Sequence, residues 1–230
     1  MNRTIFLGLS VANLLFFVDG LTQRAMATDV SGTLSSDTVW GVSGSPYVVT
    51  GSVLVSEGVK LTVEAGVEVK FDSGTSLQVF GELVAQGTSS SGITFTSAQD
   101  SKAAGDWGQI MFYDSSVDAS YDGNGDYASG SILEYCTVEY GSGILLSKGN
   151  PFINQSTIRY HSGTGIGQTI DYFVSTAVLK ITNNTISNNT GGDDGGGIKL
   201  YWWGSNEGII PLGAWCKGVF LFSSLKPNRS

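Results

Sequence analysis

The chain is poor in proline, cysteine, histidine and charge: 4 prolines, 2 cysteines and 1 histidine in 230 residues, with 14% of positions charged. Each shortage excludes something. Two cysteines, Cys136 and Cys216, cannot form the disulfide framework of a small stapled domain, although in an oxidising compartment they could join as one distant pair. Twelve basic residues against 20 acidic ones leave a net charge of −8, so nothing here would release counterions from a phosphate backbone, and nucleic acid is excluded as a partner. The apolar run from Ile5 to Val18 is broken by Asn13 and stopped by Asp19, which is short for a bilayer span. With Ala25-Met26-Ala27 after it, the segment 1–27 reads as a secretory signal peptide whose removal leaves no membrane span.

Glycine is what the chain has in quantity. There are 32, without a Gly-X-Y period and with intact apolar stretches between them, which points to tight turns separating many short strands. Glycines at 58, 66, 74, 81 and 87 frame the rows Gly58-Val-Lys-Leu-Thr-Val, Gly66-Val-Glu-Val-Lys-Phe and Gly74-Thr-Ser-Leu-Gln-Val. Leu61, Val63, Val67, Val69, Phe71, Leu77 and Val79 fall on one side of these rows, while Lys60, Thr62, Glu68, Lys70 and Gln78 fall on the other. Glycine at each corner supplies a positive φ, and three such sides make a turn of about 24 residues, a solenoid spacing.

A second set of rows repeats the idea with other residues: Leu133-Glu-Tyr-Cys-Thr-Val138, Ile153-Asn-Gln-Ser-Thr-Ile158 and Ile181-Thr-Asn-Asn-Thr-Ile186. Each is followed, after a stretch of variable length, by another aliphatic residue: Ile144, Ile166, Ile198. Fixed core rows with elastic loops are what a stacked array permits. Stacked in parallel at about 4.7–4.9 Å, such rows would pile Cys136, Ser156 and Asn184 in one polar column and Thr137, Thr157 and Thr185 in another on the outside. A two-sheet sandwich, the competing all-β architecture, would show hairpins and no vertical register. The Asn-x-Ser/Thr triplets at Asn154, Asn183 and Asn188 follow from the rows themselves.

Taken together, Ser45-Pro-Tyr-Val-Val-Thr50, Gly66-Val-Glu-Val-Lys-Phe71, Gly81-Glu-Leu-Val-Ala-Gln-Gly-Thr88, Ile93-Thr-Phe-Thr-Ser97, Gly105-Asp-Trp-Gly108 and the Asn-Asn-Thr rows resemble the right-handed parallel β-helix repeat proteins of bacterial surfaces and secretions, with their pectate-lyase-like fold. The resemblance runs from about Trp40 to about Ile198. It implies an all-β, single-chain right-handed solenoid, exported or held at the cell surface. Relatives with this fold include lyases, polygalacturonases, tailspike glycosidases and adhesins, so activity must be argued from the site.

No complete catalytic set is present. Polygalacturonase-like hydrolysis needs an acid and a base across a sugar bond. Asp193-Asp194 offers a pair, but Gly191 stands where the family's first Asp belongs, His161 precedes the pair instead of following it, and no basic row comes after. A turn-capping role for Asp193 and Asp194 is the plainer reading. A pectate-lyase-like base would be Arg159, with Asp171 nearby; a lone outward Arg is ordinarily solvated or ion-paired. Oxygen donors at Asp118, Asp122, Asn124 and Asp126 on a glycine-flexed loop suit Ca²⁺, the one cofactor open to this chain, or else form a polar surface loop; Tyr127 and Leu133 stand where a helix-flanked calcium loop would need Gly and a bidentate acid. Among the aromatic residues, Tyr140 and Tyr160 take the same place in two rows, forming either a strip for sugar faces or a ladder that stiffens the coil.

These features divide the chain into a signal peptide (1–27), an N-terminal cap and first coil (28–56) closed by Trp40, Val42 and Tyr47, the repeats (57–203) and an atypical C-terminal segment (204–230), either a cap strand or the end of a truncated array. The expected function is a binding or structural module for polysaccharide or cell-surface glycan through Tyr140, Tyr160, Asp193 and Asp194. The alternative is a carbohydrate-active enzyme using Asp193, Asp194 and His161.

Overall fold

The computed structural model describes residues 27–169, 178–191 and 195–200, with the backbone of 208–210 and 219–222. Among the described residues there is no α-helix. The chain winds through β1 (Thr28–Leu34) and β2 (Thr38–Trp40), then β3 (Tyr47–Val55) and β4 (Lys60–Val63). The next coil is β5 (Glu68–Phe71), β6 (Leu77–Val79) and β7 (Glu82–Gln86). After it come β8 (Ile93–Ser97) and β9 (Gln109–Phe112), a side hairpin of β10 (Ser120–Tyr121) and β11 (Tyr127–Ser129), and β12 (Ile132–Glu134). Two further coils are β13 (Cys136–Glu139), β14 (Gly143–Leu146) and β15 (Phe152–Asn154), then β16 (Thr157–Arg159), β17 (Ile166–Gln168) and β18 (Leu179–Thr182). The array ends in β19 (Thr185–Ser187) and β20 (Ile198–Leu200), with β21 (Gly208–Ile210) and β22 (Val219–Phe222) following.

Successive coils pair in parallel on three faces, as a parallel β-helix requires. The first face carries β3, β5, β8, β13, β16 and β19; the second carries the far half of β3, then β6, β9, β14, β17 and β20; the third carries β2, β4, β7, β12, β15 and β18. Because the rows are in register, Val69, Phe95, Val138, Ile158 and Ile186 lie one above another. So do Val53, Leu77, Ile110, Ile144, Ile166 and Ile198 on the second face, and Trp40, Val63, Ala85, Leu133, Ile153 and Ile181 on the third. All these side chains are buried in one core. Each fully buried aliphatic side chain contributes roughly 1.5–3 kcal/mol, so the bore supplies the main driving force.

The polar column forms as the rows predict. The Cys136 N–H donates to Ser156 Oγ at 3.0 Å, the Ser156 N–H to Asn184 Oδ1 at 2.8 Å, and Asn184 Nδ2 to the Ile153 carbonyl at 2.9 Å. Thr137, Thr157 and Thr185 pair in register on the outer side. The Cys136 thiol is buried and its pKa is raised by that burial; Cys216 lies outside the described residues.

Glycine explains only part of the bending. Gly58, Gly66 and Gly74 have φ of 75°, 87° and 74°, as corners demand, whereas Gly81 and Gly87 do not have positive φ. At Gly81 the reason is close approach: a Cβ there would collide with the carbonyl oxygens of Ser56 and Val59. Gly81→Ala is expected to lower stability by about 2 kcal/mol and Tm by about 4–8 °C in a thermal melt. Gly58→Ala meets nothing within 4 Å and should cost about 1 kcal/mol, from backbone strain alone. In the later coils the corners on either side of the first face are left-handed without glycine. Tyr135, Gln155 and Asn183 (φ 50°, 47°, 56°) turn the third face into the first, and Tyr140, Tyr160 and Asn188 (φ 65°, 57°, 56°) leave the first.

At the N-terminal end the Trp40 and Tyr47 rings stack at 5.2 Å inside the first coil, while Val42 stands outside, 54% exposed. At the other end β21 and β22 run antiparallel against β20 and β18, reversing the sense of pairing.

Candidate functional site

Alternation along the first face turns a second set of side chains outward. Thr137-Val-Glu-Tyr140 and Thr157-Ile-Arg-Tyr160 are equivalent rows, so Glu139 lies beside Arg159. The Glu139 side chain is nearly buried at 9% exposure. Its Oε1 accepts from Thr96 Oγ1 at 3.0 Å, and its Oε2 accepts from Arg159 Nε at 2.9 Å and pairs with the second guanidinium nitrogen at 2.8 Å. Lys102, from the loop between β8 and β9, donates to Thr96 Oγ1 at 2.9 Å.

Just beyond this network the chain turns, and the Tyr140 and Tyr160 rings lie parallel, 5.3 Å apart at 14°. A cation accompanies each ring: Lys102 Nζ at 5.8 Å from the Tyr140 centroid and the Arg159 guanidinium at 5.2 Å from that of Tyr160. Flat rings bordered by hydrogen-bond donors are the chemistry of sugar-face recognition. The carboxylate here is already satisfied by three donors, with no second carboxylate placed across from it among its partners, so the cluster lacks the acid–base geometry of glycoside cleavage. The Glu139–Arg159 pair is legible from the row alignment; Lys102 is not, because it reaches the face from a loop with no period.

The structure therefore brings Tyr140 and Tyr160 together. Asp193 and Asp194 lie outside the described residues, as does Asp171. His161 is wholly buried, its ring edge-on to Trp107 at 6.4 Å, so it has no route to a substrate. Its Nδ1 accepts the Gly141 N–H at 3.1 Å, and its own backbone N–H donates to Asn189 Oδ1 at 2.9 Å, a second ladder parallel to that of Asn184. Asp118, Asp122, Asn124 and Asp126 are not gathered into one donor set. Asp118 accepts the backbone N–H and side-chain amide of Asn150 at 2.7 and 3.1 Å. Asp122 Oδ1 accepts the N–H groups of Asn124 and Asp126, both at 2.9 Å, capping its own hairpin tip. Among the described residues no three His, Cys, Asp or Glu side chains converge as a metal site.

The hairpin itself serves packing. Tyr127 stacks on Phe152 at 6.0 Å, Tyr121 meets the same ring edge-on at 5.7 Å, and Lys180 lies 3.7 Å over Tyr121 while donating to the Gly125 carbonyl at 2.6 Å. Burial pushes the Tyr127 phenol up to about 12, with the Glu82 and Glu134 charges adding to it, and raises Tyr121 as well. These two rings are thus engaged with Phe152 and the hairpin.

A family model described as a pectate-lyase-like β-helix domain matches residues 32–176, more than half of the chain. The chain belongs to this family. No curated protein and no solved structure matches it. Membership in the pectate-lyase-like β-helix family accounts for the three-faced coil and its columns, but a fold shared by enzymes and binders assigns no chemistry by itself. Among the described residues, no helix is long and apolar enough to cross a membrane.

Proposed function

We propose that this β-helix is a secreted or cell-surface module that binds polysaccharide along the Tyr140–Tyr160 strip, with Arg159 and Lys102 as flanking donors. The observation that carries the reading is the stacked pair of rings, 5.3 Å apart with a cation beside each, and the backbone beneath them agrees with it. Tyr140 and Tyr160 occupy left-handed corners at φ 65° and 57°, while Asn188 fills the equivalent corner of the next coil at φ 56°. Asparagine adopts that conformation readily and tyrosine does so at a cost of order 1 kcal/mol. Tyr135 takes the same conformation at another corner, so the backbone cost supports the reading only together with the stacking of these two rings. Export is supported by the signal-like pattern of residues 1–27, and the glycan preference by the family, whose fold suits extended chains.

The double variant Tyr140→Asn, Tyr160→Asn tests this without endangering the corner. It is expected to melt at or near the wild-type temperature and to lose about tenfold in affinity per ring removed, measured by affinity electrophoresis through gels containing plant and bacterial polysaccharides. Unchanged retention in the variant overturns the assignment of the strip. Release of reducing or unsaturated sugar ends by the wild type would replace the binding module with an enzyme.

A further inference from the structure

A second constellation lies at another corner of the coil, where the second face ends. Val79, Phe112 and Leu146 pair in register at the ends of β6, β9 and β14, so the residues after them, Phe80, Tyr113 and Ser147, take equivalent places in three successive coils. Backbone bonds hold that equivalence: the Tyr113 N–H donates to the Val79 carbonyl at 3.0 Å and the Ser147 N–H to that of Phe112 at 2.7 Å. Phe80 and Tyr113 stack face to face at 4.0 Å and 7°. At Ser147 the column of rings stops. An open groove is lined here by Phe80, Tyr113, Asp114, Ser115, Ser147 and Lys148.

Two features set this groove apart from an ordinary surface dimple. Lys148 has φ 73°, a left-handed corner where glycine would be the relaxed choice, so its side chain is retained against backbone preference. In addition, neither the Asp114 carboxylate nor the Lys148 ammonium forms an ion pair with a described residue, although both border the same groove. The Ser115 hydroxyl is engaged with the Phe80 carbonyl at 3.0 Å, which fixes the loop wall. Among the described residues the groove thus offers an aromatic platform, an acceptor of charge −1 and a donor of charge +1 outside any ion pair, and the Ser147 hydroxyl.

We propose that the Phe80–Tyr113 groove is a second glycan site, taking an uncharged pyranose ring of a polysaccharide and making the module bivalent. The apolar C–H face of the sugar lies against the aromatic pair, vicinal hydroxyls donate to Asp114, and Lys148 donates to a ring or hydroxyl oxygen. The opposite charges of Asp114 and Lys148 cancel, which favours a neutral sugar over a uronate. The groove and the Tyr140–Tyr160 strip stand at different corners, so each can hold its own strand, and a matrix presenting many strands would be held with avidity. This inference rests on the reading of the chain as a polysaccharide-binding module.

Isothermal titration with neutral hexasaccharides (β-1,4-linked glucan, mannan and galactan) and with a galacturonate hexamer tests it on four proteins: wild type, Tyr113→Ala, the double variant Asp114→Asn, Lys148→Gly, and Tyr140→Asn, Tyr160→Asn. Lys148→Gly relieves the corner, so its double variant keeps the fold even if Tyr113→Ala does not. The expected result is two bound neutral hexasaccharides per wild-type chain and one in each variant. Two retained sites in the groove variants overturn the groove. Binding abolished by the Tyr140, Tyr160 variant and untouched by the groove variants also overturns the groove while leaving the strip. Loss in the groove variants alone upholds the groove and removes the strip. No uptake of any probe by the wild type overturns both.

Discussion

Trp107→Ala is expected to lower the unfolding free energy by about 3–5 kcal/mol, more than a substitution at any of the glycine corners. Trp107 comes from the loop that also carries Lys102 and Asp106, yet it is 1% exposed. Its indole stacks on Phe71 at 4.1 Å and 11°, its N–H donates to the Glu139 carbonyl at 2.9 Å, and its edge meets His161. The backbone of Gly141 passes so close that a Cβ there would lie 2.6 Å from the ring. Removal of the indole leaves a cavity between two coils and an unpaired buried carbonyl, two costs that add. Trp107→Phe, which keeps most of the area, should recover more than half of the loss. Urea unfolding at constant m distinguishes the two; a loss below about 1 kcal/mol for the alanine variant would show that the loop does not plug the core. The same loop holds Lys102 beside Tyr140, so under the proposed binding role weaker glycan retention accompanies the instability.

The second large effect is one of pH. Burial lowers the His161 pKa from its usual 6.5 to about 4, partly offset by its backbone hydrogen bonding and by the Glu139 charge. A neutral ring is therefore favoured in the folded chain, and its contribution is fully present above pH 6.5. It is lost progressively as pH falls toward 4, where protonation would also take Nδ1 from the Gly141 N–H. The shift corresponds to about 3 kcal/mol. His161→Asn, which installs the residue type that Asn189 already supplies at the equivalent place in the next coil, removes the titration. The wild type is expected to lose about 3 kcal/mol more than the variant between pH 7 and pH 4 in denaturant melts. Parallel losses in the two proteins would mean that the buried ring does not titrate in this range.

The parts of this molecule that are legible in its sequence are those governed by a period. Val138, Ile158 and Ile186 stand at one place in three rows and occur as one column, and Cys136, Ser156 and Asn184 make the ladder their rows imply. Tyr140 and Tyr160 are visible for the same reason. Spacing marks Gly81 correctly as a corner, between β6 and β7, but not its φ, because spacing cannot separate a glycine needed for positive φ from one needed for close approach. The tyrosine corners carry no such mark, because left-handed backbone at Tyr is locally disfavoured and only neighbouring coils over-determine it.

By itself, then, the sequence determined the winding, the contents of the bore and the in-register columns, since a repeated row has one way to bury its apolar side against copies of itself. Only the tertiary structure decided where the aperiodic residues go: Lys102 onto the first face, Trp107 between coils, the 120–129 hairpin over Phe152, and Asp114 with Lys148 around one groove. These placements depend on contacts between residues tens of positions apart, and a loop with no period carries no local signal of the coil on which it will land.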